Sequence, residues 1–162
     1  MYSQKDIEKL FLKIRNKSYS DYCLSSNVHI KAMALLGYSS PFTGDMYINL
    51  DKINDKNMSK NQVIHTIAHE LAHQVSYRTR SFFENVFFLW NYWLSKKKRR
   101  RVEIEAYKIT IERGYDKELL AERKETFKRY ANNKEKIAFE KEVYLSIDEV
   151  KALLKEYKIK RT

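Results

Sequence analysis

The residues best suited to chemistry are His69-Glu70-Leu71-Ala72-His73, an H-E-x-x-H run. On a helix, residues four apart lie one above the other on one face. His69 and His73 can therefore turn two imidazole nitrogens toward one Zn²⁺ ion. Glu70 projects at a neighbouring angle, beside the metal but outside its ligand set. A general base for the attacking water belongs there. The chain holds 4 histidines in all, and two of them fall in this register around a glutamate. The competing reading, a core helix with two incidental histidines, requires that coincidence.

The flanking residues supply the helix that such a site needs. Ser59 and Gln62 form an S-x-x-Q capping box, with Met58 and Val63 placed for a hydrophobic staple. From there Val63, Ile64, Ile67, Ala68, Leu71, Ala72 and Val75 recur at helical spacing. Neither Pro nor Gly interrupts the stretch from Ser59 to Arg80. The pattern predicts a largely buried helix over 60–77. His65 lies one turn before His69, so three histidines run along one stripe. His65 reads as a satisfied, partly buried side chain, with an outer role at the site as the alternative. His29 reads as unrelated.

A catalytic zinc takes three protein ligands and keeps one open position. No histidine follows His73, and the longer H-E-x-x-H-x-x-G-x-x-H pattern fails because Ser76 and Thr79 stand at its Gly and His positions. A carboxylate is therefore expected as the third ligand.

Here the chain resembles a known group. Glu103-Ile-Glu-Ala106-Tyr107, followed by Glu112-Arg-Gly114-Tyr115-Asp116, resembles the glutamate helix of gluzincin-type H-E-x-x-H zinc metallopeptidases, whose pattern in one branch is E-x-x-A-D with a downstream G-Y-D. The E-x-x-A stretch is also similar to that of small H-E-x-x-H proteins of phages and mobile elements. The likeness covers residues 60–77 and 101–120. It implies a zincin-like fold, Zn²⁺ as cofactor, Glu103 as the metal ligand and Ala106 as the small residue that lets the two helices approach. The group's Asp is Tyr107 here. Glu103, Ala106 and Thr110 share one helical face, whereas Glu105 points to nearly the opposite side. Glu135-Lys-Ile-Ala138 repeats the E-x-x-A pattern further on, so Glu105 and Glu135 are the alternatives to Glu103, and the ordinary reading of each of the three is a solvated glutamate. The resemblance also implies a peptide or protein substrate, aligned along a strand such as Met46–Ile53.

The other elements follow from pattern. Residues 3–17 form an amphipathic helix with Ile7, Leu10, Phe11 and Ile14 on one face. Residues 27–36 begin as a strand, 37–44 with Pro41 is a loop, and 46–53 alternates as a strand. Residues 82–94 (FFENVFFLWNYWL) are apolar on almost every side, which predicts a buried or interfacial helix. Thirteen residues are too few to span a bilayer. Lys96–Arg101 (KKKRRR) reads as an exposed charged turn, with weak contact to nucleic acid or anionic membrane as the alternative. Helices follow over 101–113, closed by Gly114, from a cap at Asp116, from Lys134, and from a second capping box at Ser146 and Glu149. The order, some strand early and helices throughout, predicts an α+β fold, mostly helical, with a small sheet before the H-E-x-x-H helix and several helices after it.

Composition bounds the rest. A chain of 162 residues with 43% hydrophobic and 14% aromatic content fits one globular domain, 1–162. With 3 Gly and 1 Pro, helices are favoured over turn-rich β architecture. Cys23 is the single cysteine, which excludes an internal disulfide and a cysteine-rich zinc site. Met1–Lys17 is not an apolar leader, so a cytoplasmic setting is expected. The net charge is +11; residues through Tyr77 account for +2 of it. These features give a zinc-dependent metallohydrolase, most simply a peptidase using Glu70 as base. The rival is a zincin-like binding module for nucleic acid or anionic membrane with a structural or vestigial metal site.

Overall fold

The structure is a computed structural model. It describes residues 1–161, apart from the side chains at 89, 91 and 159–161. Helix α1 (Gln4–Ser18) starts from a capping box between Ser3 and Asp6 and buries Ile7, Phe11 and Ile14, as their spacing predicts. The one-turn helix α2 (Ser20–Cys23) follows. Three short strands come next: β1 (Val28–Ile30), β2 (Gly37–Ser39) and β3 (Met46–Ile48). β3 is central. It pairs in parallel with β1, Val28 opposite Met46, and antiparallel with β2, Gly37 opposite Ile48.

Two expectations are corrected here. Residues 37–44 are not wholly loop, because Gly37–Ser39 form β2; three residues are too few to show a period of two. The strand expected over 46–53 stops at Ile48. The Asn49 side chain accepts the Lys52 N–H and caps helix α3 (Leu50–Asp55) instead, so a local capping bond overrides the alternation. β3 also has a partner on both sides, which leaves β2 as an edge strand.

Helix α4 (Lys60–Arg78) begins at the Ser59–Gln62 capping box and is the centre of the molecule. It packs against α1, α2, β2 and the later helices α6 and α7. Val63, Ile67, Ala68, Leu71 and Ala72 are fully buried. Each large apolar side chain among them contributes about 1.5–3 kcal/mol by leaving water. Buried polar groups peg it as well: the Tyr19 hydroxyl donates to the Ala68 carbonyl at 2.9 Å and the Ser39 hydroxyl to the Glu70 carbonyl at 2.6 Å.

Five helices follow: α5 (Phe82–Leu94), α6 (Lys96–Glu112), α7 (Asp116–Arg129), α8 (Lys134–Val143) and α9 (Ile147–Arg161). Lys96–Arg101 is not a turn but the opening of α6, because Ser95 caps that helix by accepting the Lys98 N–H. Gly114, at φ +88°, ends it in the left-handed conformation expected at C′. Asp116 is not the cap of α7; Tyr115 holds that position without a side-chain bond, and Asp116 lies in the first turn, where its charge still complements the helix dipole. The Asn133 side chain caps α8, and Ser146 and Glu149 bond reciprocally at the start of α9. Helix α6 is shared by two apolar clusters. Ala106 joins the main core, and Tyr107 and Ile111 join a smaller one with Leu119, Leu145 and Val150. The result is an α+β fold, mostly helical, with its small mixed sheet before α4. No helix among the described residues is long and apolar enough to cross a membrane.

Candidate metal centre

Two turns of α4 and one of α6 meet at three side chains. Glu103 Oε2 lies 2.9 Å from His69 Nε2 and 3.7 Å from His73 Nε2. One ligand-type atom from each of the three residues falls within 4.8 Å of the others, the arrangement needed to hold one metal ion. Sequence spacing explains the pairing. His69 and His73 are four apart on α4, and Glu103 faces them because Ala106, one turn on, is fully buried at the α4–α6 contact. Thr110 completes that face and donates back to the Ala106 carbonyl at 2.8 Å. The side chain of Glu103 is 3% exposed, so the carboxylate is nearly dry.

The neighbours fix these groups in place. Tyr92 of α5 donates its hydroxyl to Glu103 Oε1 at 2.7 Å, which leaves Oε2 for the histidines. Tyr107 packs its ring on His65 and His69, at 5.9 and 5.1 Å between centroids, and so acts as a wall where the resembling group carries Asp. Tyr77 stacks on His73. Burial alone would push the Glu103 carboxyl up, but hydrogen bonds and charge from His69 and His73 hold it well below the ordinary carboxylate range. Burial opposes charge on His73, yet the Glu103 carboxylate beside it raises its pKa. His65 is buried, its pKa is pushed well below the ordinary value, and its Nδ1 has no partner among the described residues.

Glu70 stands beside this cluster and outside it. Burial raises its pKa, and the two histidines only partly offset that. Its side chain is seated against β2. A Cβ added to Gly37 would fall 2.9 Å from both Glu70 Cγ and Oε1, so only glycine leaves that space open. The cluster, Glu70 and the strand residues Gly37, Tyr38 and Ser39 all line one cleft of about 280 Å³, which Arg123 and Tyr144 line as well. No family model, curated protein or solved structure matches the chain. The reading of the site therefore rests on its residues.

The other candidates lie elsewhere. Glu105 turns away from the cluster, accepting from the Ser76 hydroxyl at 2.6 Å and from Arg80 at 2.8 Å. Glu135 is exposed in the first turn of α8. His29 sits on β1 beside Asp45. Three contributors escaped the sequence. β2 and Gly37 were hidden in an apparent loop. Tyr92 was hidden in an apolar run, although Asn85 and Tyr92, seven apart, marked a polar stripe along that helix. Arg123, 2% exposed, gave no signal, since nothing local shows that it donates to the Leu145 carbonyl and Glu140.

Proposed function

We propose that the chain is a zinc-dependent peptidase with a zincin-like site, in which His69, His73 and Glu103 hold the metal and Glu70 is the general base. The observation that carries this reading is the meeting of Glu103 with both histidines while Glu70, in the same cleft, stays outside the ligand set. The donor set fits zinc. Tetrahedral coordination with bonds of about 2.0–2.1 Å sets ligand atoms about 3.4 Å apart, and the observed 2.9 and 3.7 Å bracket that spacing. The Nδ1 atoms of His69 and His73 have no hydrogen-bond partner among the described residues, so here the tyrosine rings, rather than outer hydrogen bonds, orient the imidazoles.

A zinc ion held there would polarise a scissile carbonyl and bring the pKa of bound water toward about 7. Glu70, with its raised pKa, accepts a proton from the attacking water and returns it to the leaving amine. Tyr92 keeps Glu103 oriented through Oε1. β3 has no free edge, so the strand that can align an extended peptide is β2, which borders the cleft.

Elemental analysis and hydrolysis of an unfolded protein such as casein test this together. Wild type should carry one zinc per chain, and His69→Ala, His73→Ala and Glu103→Ala should each lose most of it. Glu105→Ala and Glu135→Ala should keep it. Glu70→Gln should keep zinc and lose about 10²–10⁴-fold in rate. A zinc-free wild type refutes the metal site. Undiminished cleavage by Glu70→Gln refutes the role of the base and favours a binding module.

A further inference from the structure

Helix α5 carries most of its described apolar side chains on the outside. Phe82, Phe83, Phe87, Trp90, Trp93 and Leu94 are 63–80% exposed and Val86 is 44% exposed. At 100° per residue these seven cover one continuous arc of roughly 140°. Phe42, 52% exposed on the loop after β2, packs on Phe82 at 5.5 Å between ring centroids and extends the face. The five α5 rings alone present on the order of 700 Å², more than the largest apolar patch of an ordinary monomer.

The opposite face of the helix cannot replace it. Asn85 donates to the Tyr77 carbonyl at 3.0 Å, Tyr92 donates to Glu103, and the Arg80 guanidinium lies 4.4 Å from the Phe88 ring. These contacts fix the rotation of α5 and point the aromatic face at solvent. Its one acidic residue, Glu84, is engaged in capping with Ser81. Immediately after the helix comes the basic opening of α6. There Lys96 pairs with Glu142 and Arg100 with Glu149, while Lys97 and Arg101 are exposed with no acidic partner among the described residues.

We propose that the outward face of α5, together with Lys97 and Arg101, is a docking surface for an anionic lipid bilayer. A helix of 13 residues is about 20 Å long and can lie in the interface without crossing it. The Trp and Phe rings enter the headgroup boundary, and the cations meet the negative surface potential beside them. The charge decides against a second copy of this chain as the occupant. Each copy carries +11, and stacking two such faces brings like charges together without supplying an anion. This surface does not depend on the metal chemistry.

Sedimentation with vesicles tests it, using phosphatidylcholine alone and phosphatidylcholine with roughly one-third phosphatidylserine. Wild type should bind the anionic vesicles, bind neutral ones far less, and release as salt is raised from about 0.1 to about 0.5 M. Phe83→Ser/Trp90→Ser should lower the partition coefficient at least about 10-fold while leaving zinc content and melting unchanged. Lys97→Gln/Arg101→Gln, which leaves the apolar face intact, should lower it about 5-fold per residue on anionic vesicles only. Wild type that fails to sediment with anionic vesicles overturns the proposal. So does vesicle binding that survives both variants. Lipid-free dimers abolished by Phe83→Ser/Trp90→Ser would overturn it in favour of a contact between copies. Salt-sensitive binding to duplex DNA without vesicle binding would overturn it in favour of nucleic acid.

Discussion

Gly37→Ala adds one methyl group at the place where the sheet meets the proposed base. The new Cβ would stand 2.9 Å from Glu70 Cγ and Oε1 and 3.2 Å from Cδ. Favourable carbon contacts begin near about 3.5 Å, so Glu70 must retreat by roughly half an ångström. The backbone of Gly37 is not left-handed, so alanine is tolerated there. Moving a side chain off its rotamer costs about 0.5–1.5 kcal/mol, and the melting temperature should fall by only about 1–6 °C. Activity should suffer more. A misplacement of about 1 Å in a catalytic group can cost about 10²-fold, so half of that predicts roughly a 10-fold loss in kcat/KM. The ceiling is the loss seen on removing Glu70 altogether. Casein hydrolysis and zinc content, measured on the same samples, check this: rate down, zinc at one per chain. Gly37→Ala/Glu70→Gln should be no slower than Glu70→Gln alone, because the methyl group acts only through that carboxylate. Full activity in Gly37→Ala, or a further loss on the Glu70→Gln background, refutes the reasoning.

Other outcomes follow from single contacts. Tyr92→Phe removes the donor to Glu103 Oε1 and should weaken zinc binding about 10–100-fold in chelator competition, leaving the apparent pH optimum in place. Arg123→Met leaves Glu140 without its 2.9 Å partner and frees the Leu145 carbonyl, so denaturant unfolding should show a loss of about 3–5 kcal/mol. Burial lifts the Cys23 thiol from its ordinary value of 9.0 to about 11. The folded state thus holds that proton more tightly than the unfolded chain. The stabilisation is complete below about pH 9 and is lost as pH rises toward about 11. Cys23→Ala should flatten that part of the stability profile, and iodoacetamide should label Cys23 only as fast as the chain unfolds.

How much the sequence discloses depends on how local each cause is. α4 is legible because its cap, its periodicity and its motif all lie within twenty residues, and each points to the same helix. The caps at Ser59 and Ser146 and the Gly114 stop are legible for the same reason. Eliminating histidines leads only to a carboxylate; the resemblance of its helix, with Ala106 on the same face, singles out Glu103, which stands beside His69 and His73. β2 is illegible because its stability comes from β3 and its glycine serves Glu70, both of them distant in sequence. The orientation of α5 is illegible for a different reason. An apolar run leaves burial and an interfacial position open, and here contacts of Asn85, Phe88 and Tyr92 on the inner side decide which way the helix faces. The alternation overstates the length of β3, because the Asn49 cap ends the strand at Ile48 while the pattern continues.

The inverted helix α5 has a consequence for how the site breathes. Helices normally resist opening in proportion to the apolar surface they bury, and amide exchange reports that resistance. α5 leaves most of its described apolar side chains exposed and is held by a few contacts, among them the Tyr92 bond to Glu103, the Asn85 bond to Tyr77 and the Phe88 ring on Tyr77. Its amides should therefore exchange by a local opening well below the free energy of global unfolding, while those of α4 exchange only with the whole molecule. Each such opening removes the Tyr92 hydroxyl from a carboxylate that is otherwise almost dry. Anything that holds its outer face still would lengthen the interval between those events.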